Sequence, residues 1–192
     1  MDKLSMASFI SLLNQVRATI VGPPLGDSSM MVSPANIHNI LFVCTGNSCR
    51  SPLAEGLMKK LLSDSPIAGA EIGSAGLTAL PGSPASFNAL RVAQENSISL
   101  EDHRARQVTP ELTDSADLIL VMEPRHQQEL LSRHPEASVK TLLLRHFARY
   151  GSQTRGINDP YGLNLEAYRF CFEDIKECIE SLHQWLVETN RA

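Results

Sequence analysis

The sequence predicts an α/β fold built on a four-stranded parallel sheet with helices on both faces, and three observations predict it. From about residue 37 onward, short apolar runs alternate with stretches of helical periodicity. The clearest run is apolar at nearly every position, as a strand covered on both faces must be. That run also passes through a turn-rich segment straight into a helix, the connection that crossover units need.

The elements follow in order. Residues 4–21 carry Leu4, Ile10, Leu13, Val16 and Ile20 at helical spacing, which predicts a short amphipathic helix. Residues 22–36 are rich in Gly, Pro and Ser and read as a linker, so 1–36 form an N-terminal extension and 37–192 the domain proper. Asn39–Cys44 is the first strand. Pro52 to Leu62 is helical, with Pro where a first turn tolerates it. Glu71–Ala75 is a second strand and Ala85–Glu95 a helix. Leu118–Met122 is the third strand, and Pro124 opens a helix that runs to about Arg133. Val139–Leu144 is the fourth strand. Asn164 caps a long final helix whose apolar face carries Ala167, Phe170, Cys171, Ile175, Cys178, Ile179, Leu182 and Leu186.

Composition narrows the function classes. The chain has 192 residues, of which 43% are apolar and 20% charged, enough for one domain with a full core. A net charge of −4 gives no electrostatic reason to expect nucleic acid or an anionic membrane as partner. No apolar run has the length of a bilayer span. The first residues lack the basic start and small-residue cleavage site of a signal peptide, so a cytoplasmic location is expected. The four cysteines, Cys44, Cys49, Cys171 and Cys178, are then expected to be free thiols. Seven residues apart on one helix, Cys171 and Cys178 stand roughly 10 Å apart along its axis, too far for a disulfide.

In parallel sheets of this kind ligands sit beyond the carboxyl ends of the strands, which directs attention to the segment after the first strand. It reads Cys44-Thr45-Gly46-Asn47-Ser48-Cys49-Arg50-Ser51. Backbone N–H groups of a strand-to-helix turn converge into an anion nest. Gly46 is expected to take backbone angles closed to other residues. A helix N-terminus and a nearby Arg depress a thiol's pKa and make Cys44 a nucleophile. Arg50 offers a planar fork that fits two phosphoryl oxygens, and Ser51 is placed to hydrogen-bond the Cys44 sulfur.

The stretch Val43–Gly56 (VCTGNSCRSPLAEG) resembles the phosphate loop of the low-molecular-weight protein tyrosine phosphatases, in the bacterial branch that also holds protein-arginine phosphatases. The resemblance extends to Ser74, His103 and Asp159-Pro160-Tyr161, and leaves residues 1–36 outside it. It implies a phosphorylated protein as substrate, Cys44 as nucleophile, Arg50 as phosphate clamp and Asp159 as proton donor. It also implies that Thr45 to Cys49 and Ser51 cradle the phosphate, that Asn47, Ser74 and His103 brace the loop, and that Tyr161 forms an aromatic wall. No cofactor or metal is expected. Cys49 is either a partner thiol for Cys44 under oxidation or a small residue that fits.

Two departures keep rivals in view. Gly162 stands where many phosphotyrosine enzymes of the family carry a second aromatic. Ser48 resembles the hydroxyl residue of the arginine-specific branch, as does His126 after the third strand. The thioredoxin-coupled arsenate reductases have a nearly identical loop, but they need two more cysteines after the third strand, and Glu123 to Pro135 contains none.

Overall fold

The structure is a computed structural model that describes residues 37–64, 67, 69–150 and 155–190. The helix and linker expected within residues 1–36 lie outside the described residues. The elements are β1 (Asn39–Cys44), α1 (Arg50–Asp64), β2 (Glu71–Gly76), α2 (Phe87–Glu95), α3 (Pro110–Ser115), β3 (Leu118–Val121), α4 (Pro124–Arg133), β4 (Thr141–Leu143) and α5 (Leu165–Asn190). All four strands are parallel, in the order β2-β1-β3-β4.

That order positions the site. The chain leaves β1 to one side to form β2, then crosses to the other side to form β3. The sheet therefore reverses direction at β1, and a crevice opens beyond its carboxyl end, where Cys44 stands. Strand alternation buries β1 twice over. Ile40, Phe42 and Cys44 enter the core shared with α1, α2 and α5, while Leu41 and Val43 enter the core shared with α4. Phe42 and Val43 are both fully buried, and trimming Phe42 to Ala costs about 3–5 kcal/mol.

The structure corrects three of the expectations above and adds one element. The fourth strand is only Thr141–Leu143, because Pro135 starts a 3-10 turn that runs to Lys140 and leaves Val139 exposed. The helix expected from Ala85 begins at Phe87. Six-residue α3 was not expected, being too short to repeat the helical period; it is started by Thr109, whose hydroxyl accepts from Leu112 N at 3.4 Å. On α5, Phe170 faces solvent and Tyr168 takes the buried place. Asn164 does cap that helix, its Oδ1 accepting from Ala167 N at 3.1 Å. Among the described residues, no helix is long and apolar enough to cross a membrane.

Candidate active site

The first helix starts earlier than its sequence pattern predicts, and the difference matters. Arg50 and Ser51 belong to the first turn of α1, so the loop proper is Thr45–Cys49. It is bent by Asn47, which takes the left-handed φ of 53°. Gly46, expected to supply an unusual angle, does not have a positive φ. Asn is the non-glycine residue best suited to this conformation because its side chain can hydrogen-bond locally.

Here the Asn47 side chain is fully engaged. Its Oδ1 accepts from Arg106 N at 2.9 Å, and its Nδ2 donates to Ser74 Oγ at 2.8 Å and to Ser51 Oγ at 3.0 Å. Its backbone carbonyl lies 2.7 Å from His103 Nε2, so that nitrogen carries the proton. Ser74 in turn donates to Glu55. The three bracing residues expected from the sequence, Asn47, Ser74 and His103, thus meet, together with Glu55 and Arg106.

Cys44 Sγ accepts from Asn47 N at 3.3 Å and lies 3.0 Å from Ser51 Oγ. Asn47 Nδ2 already fills a lone pair of that hydroxyl, and its alternative acceptor, Ala75 O, is 3.5 Å away. The Ser51 proton is therefore best spent on the sulfur. Cys49 points elsewhere. Its sulfur lies 3.1 Å from Ser86 Oγ and 3.3 Å from the hydroxyl of Tyr168 on α5. Burial, with the Cys49 contact second, pushes the Tyr168 hydroxyl above its usual range, so it stays protonated. Cys171 and Cys178 are core residues whose thiols burial pushes up to about 12.

Arg50 is almost entirely buried. Nη1 donates to Ile157 O at 3.1 Å and to Glu123, and Nη2 donates to Asp159. Its Nε has no partner among the described residues. A buried guanidinium N–H without an acceptor is costly, and an oxyanion held in the loop would supply one. Glu123 is a site residue that sequence reasoning missed. Burial works to raise its carboxyl, but hydrogen bonds from Arg125 (2.8 Å) and Arg50 outweigh burial and hold it below the ordinary carboxylate range.

A second missed contact joins Thr45 Oγ1 to His126 Nε2 at 2.9 Å. Burial, then the Arg50 charge, lowers His126 to about 4, so the ring is neutral at pH 7.

Asp159 lies in the loop before α5. Its Oδ2 takes Arg50, and its Oδ1 accepts from Tyr161 N at 3.1 Å, which fixes the carboxylate and the aromatic residue relative to each other. Asp159 and Tyr161 share with Cys44, Thr45, Gly46, Ser48, Cys49 and Arg50 a pocket of about 560 Å3. The Tyr161 ring is exposed at its mouth. Gly162 sits at φ +79°, where an aromatic side chain would be strained. Other apolar residues line the pocket instead, namely Leu80 after β2 and Phe87 at the start of α2, both exposed. Neither was legible in the sequence. Among the described residues, no group of three or more His, Cys, Asp and Glu side chains is arranged to hold a metal ion.

The sequence model of the family described as low molecular weight phosphotyrosine protein phosphatase matches residues 39–192. A probable low molecular weight protein-tyrosine-phosphatase of Ralstonia nicotianae, EpsP, is 37% identical over 145 residues, which cover 76% of this chain and 93% of that one. A protein-arginine-phosphatase of Geobacillus stearothermophilus is 39% identical over 150 residues, 78% of this chain and 96% of that one. Among solved structures, Vibrio vulnificus Wzb in complex with benzylphosphonate superposes with a TM-score of 0.70 at 36% identity, covering 78% of this chain and 99% of that one.

Proposed function

Since the chain belongs to the low molecular weight phosphotyrosine protein phosphatase family and is an enzyme of that class, we propose that it hydrolyses phosphotyrosine in proteins with Cys44 as nucleophile, Arg50 as clamp and Asp159 as acid. The observation that carries this reading is that Cys44, Arg50, Asp159 and the open ring of Tyr161 line one pocket.

In the first step the Cys44 thiolate attacks phosphorus and the bond to the tyrosine oxygen breaks. Backbone N–H groups of the loop and Arg50 take the equatorial oxygens. As the phosphoryl group occupies Arg50, Asp159 is released from that pairing and is free to face the leaving oxygen. Asp159 then gives its proton to the leaving phenolate. In the second step Asp159, now a carboxylate, takes a proton from water as that water attacks the phosphocysteine. Inorganic phosphate leaves and the Cys44 thiolate is restored, eased by the Ser51 hydroxyl. Glu123 keeps Arg50 aimed throughout, because it pairs with Nη1 while Nη2 and Nε are given to phosphate.

The catalytic domain in this reading is residues 37–192, with 1–36 as an extension, and the enzyme works in a reducing cytoplasm that keeps Cys44 a thiol. The choice of phosphotyrosine rests on the exposed Tyr161 ring and on the Vibrio relative, whose bound ligand is an aromatic phosphonate. One observation favours phosphoarginine as a second reading. The hydroxyl residue Ser48 lines the pocket, and the Geobacillus relative is a protein-arginine-phosphatase.

Phosphate release from matched phosphotyrosine and phosphoarginine peptides, with Cys44→Ser as control, decides between the two. Preference for phosphotyrosine is the expected result. Preference for phosphoarginine replaces it with the second reading, and release from neither by the reduced enzyme removes both.

A further inference from the structure

Phe87 is a wall shared by two cavities. On one side is the catalytic pocket. On the other is a groove of about 480 Å3 with Leu90, Ile98 and Leu100 as its apolar lining and Arg91, Gln94 and Glu101 beside them. The groove is built into the fold. Ile98 and Leu100 are buried, and they press so closely on Gly56 of α1 that a Cβ there would come within 2.5 Å of Ile98 Cγ2. Ile98 N donates to Ala93 O at 2.8 Å, and Lys60 Nζ donates to Asn96 O at 2.8 Å, so the segment after α2 is tied to both α2 and α1. The Arg91 guanidinium lies 5.9 Å from the centre of the Phe87 ring and braces it. Arg91 and Glu101 carry opposite charges, so the groove asks for no charged guest.

We propose that this groove seats an apolar side chain of the substrate polypeptide, a near neighbour of the phosphorylated residue. The substrate then crosses the Phe87 ring, with its phosphoryl group on Cys44 and its apolar neighbour on Leu90, Ile98 and Leu100. Continuity with the catalytic pocket argues for this occupant. A polypeptide whose phosphorylated side chain enters the pocket must leave across the rim, and Phe87 is the residue of that rim shared with the groove. An extended chain advances about 3.3 Å per residue, so a residue one to three positions along reaches the far side of one aromatic ring. The inference rests on the reading of the chain as a protein phosphatase, and it holds whether the phosphorylated residue is tyrosine or arginine.

The test is a leucine scan. Gly/Ser peptides with one central phosphotyrosine carry a single leucine at each position from −3 to +3, and phosphate release is compared with that from p-nitrophenyl phosphate, which is too small to reach the groove. A leucine on one side is expected to raise kcat/KM about tenfold, mostly through KM. Leu90→Asp, which puts a charge on the lining, and Gln94→Trp, which fills the groove from an exposed position without touching the core, are each expected to erase that gain. Equal rates for every leucine position, or a gain that survives in a folded Leu90→Asp and in Gln94→Trp, overturns the proposal. If the wild-type enzyme ignores phosphotyrosine peptides and cleaves phosphoarginine, the substrate reading fails separately, and the same scan on phosphoarginine peptides still decides the groove.

Discussion

At the floor of the catalytic pocket Arg50 is 1% exposed, and Asn47 and Ser51 behind it are both 0% exposed, whereas at its mouth Leu80, Phe87 and Tyr161 are 74%, 74% and 70% exposed. The floor is polar and held by hydrogen bonds from β2, from the segment around His103–Arg106 and from the loops after β3 and before α5. The mouth is apolar and lightly held. The difference follows from what each must do. Donors aimed at a phosphoryl group lose most of their value when displaced, so they are locked by a supporting network before substrate arrives. Apolar walls gain free energy only when substrate covers them, so they stay open to water until then. Changes at the floor should therefore act on turnover, and changes at the mouth on KM.

The largest effect expected at the floor is that of Cys44→Ser. Phosphate release should fall by at least about 10⁴-fold while phosphate binding, read by calorimetry, persists. Turnover that survives would remove Cys44 from its role. Next in size is Asp159→Asn, expected to lower kcat for a phosphotyrosine peptide by about 10²- to 10⁴-fold. The loss should be smaller for p-nitrophenyl phosphate, whose leaving group needs a proton less. Equal losses on both substrates would show that Asp159 acts only through Arg50.

The third prediction concerns the stability of the floor. An unfolded His titrates near ~6.5, and His126 in the fold titrates at about 4. Between those values the unfolded chain binds a proton that the folded chain does not, so folding free energy is lost as pH falls from 6.5 towards 4. The loss reaches roughly 3 kcal/mol at most. Glu123 adds a loss of the same sign at lower pH, because its depressed carboxyl stabilises the fold only while ionised. Urea unfolding at pH 7 and pH 4.5 measures the slope, and His126→Gln should flatten it. An unchanged slope in that variant would mean that another group titrates there.

The smallest effect belongs to the mouth. Tyr161→Ala should raise KM for a phosphotyrosine peptide about five- to tenfold and leave kcat within about twofold. A large fall in kcat instead would mean that the ring helps to hold Asp159, through the bond from Tyr161 N to Asp159 Oδ1, and would blur the line between floor and mouth.

Much of this is legible in the sequence. The pattern of β1, α1, β2, β3 and α4 could be read because each repeats its own period at least twice. The three-residue β4 and six-residue α3 each cover fewer than two periods, and both ends of β4 are taken by 3-10 turns. Phe170 was misread because apolar spacing marks a stripe on a helix and cannot say which edge of the stripe meets the core.

The sequence by itself determined where the thiol, the guanidinium and the hydroxyl beside the sulfur stand. Cys44, Arg50 and Ser51 lie within one strand-to-helix turn, and their relative placement is a property of local backbone geometry. Only the tertiary structure decided what surrounds them. Glu123 reaches Arg50 across 73 residues, His126 reaches Thr45 across 81, and Tyr168 reaches Cys49 across 119. Leu80, Phe87 and Tyr161 converge on one pocket from three separate segments. These meetings depend on β1 lying between β2 and β3 and on α5 packing over α1 and α2, and no local pattern encodes them, because they arise from burying the two faces of one sheet.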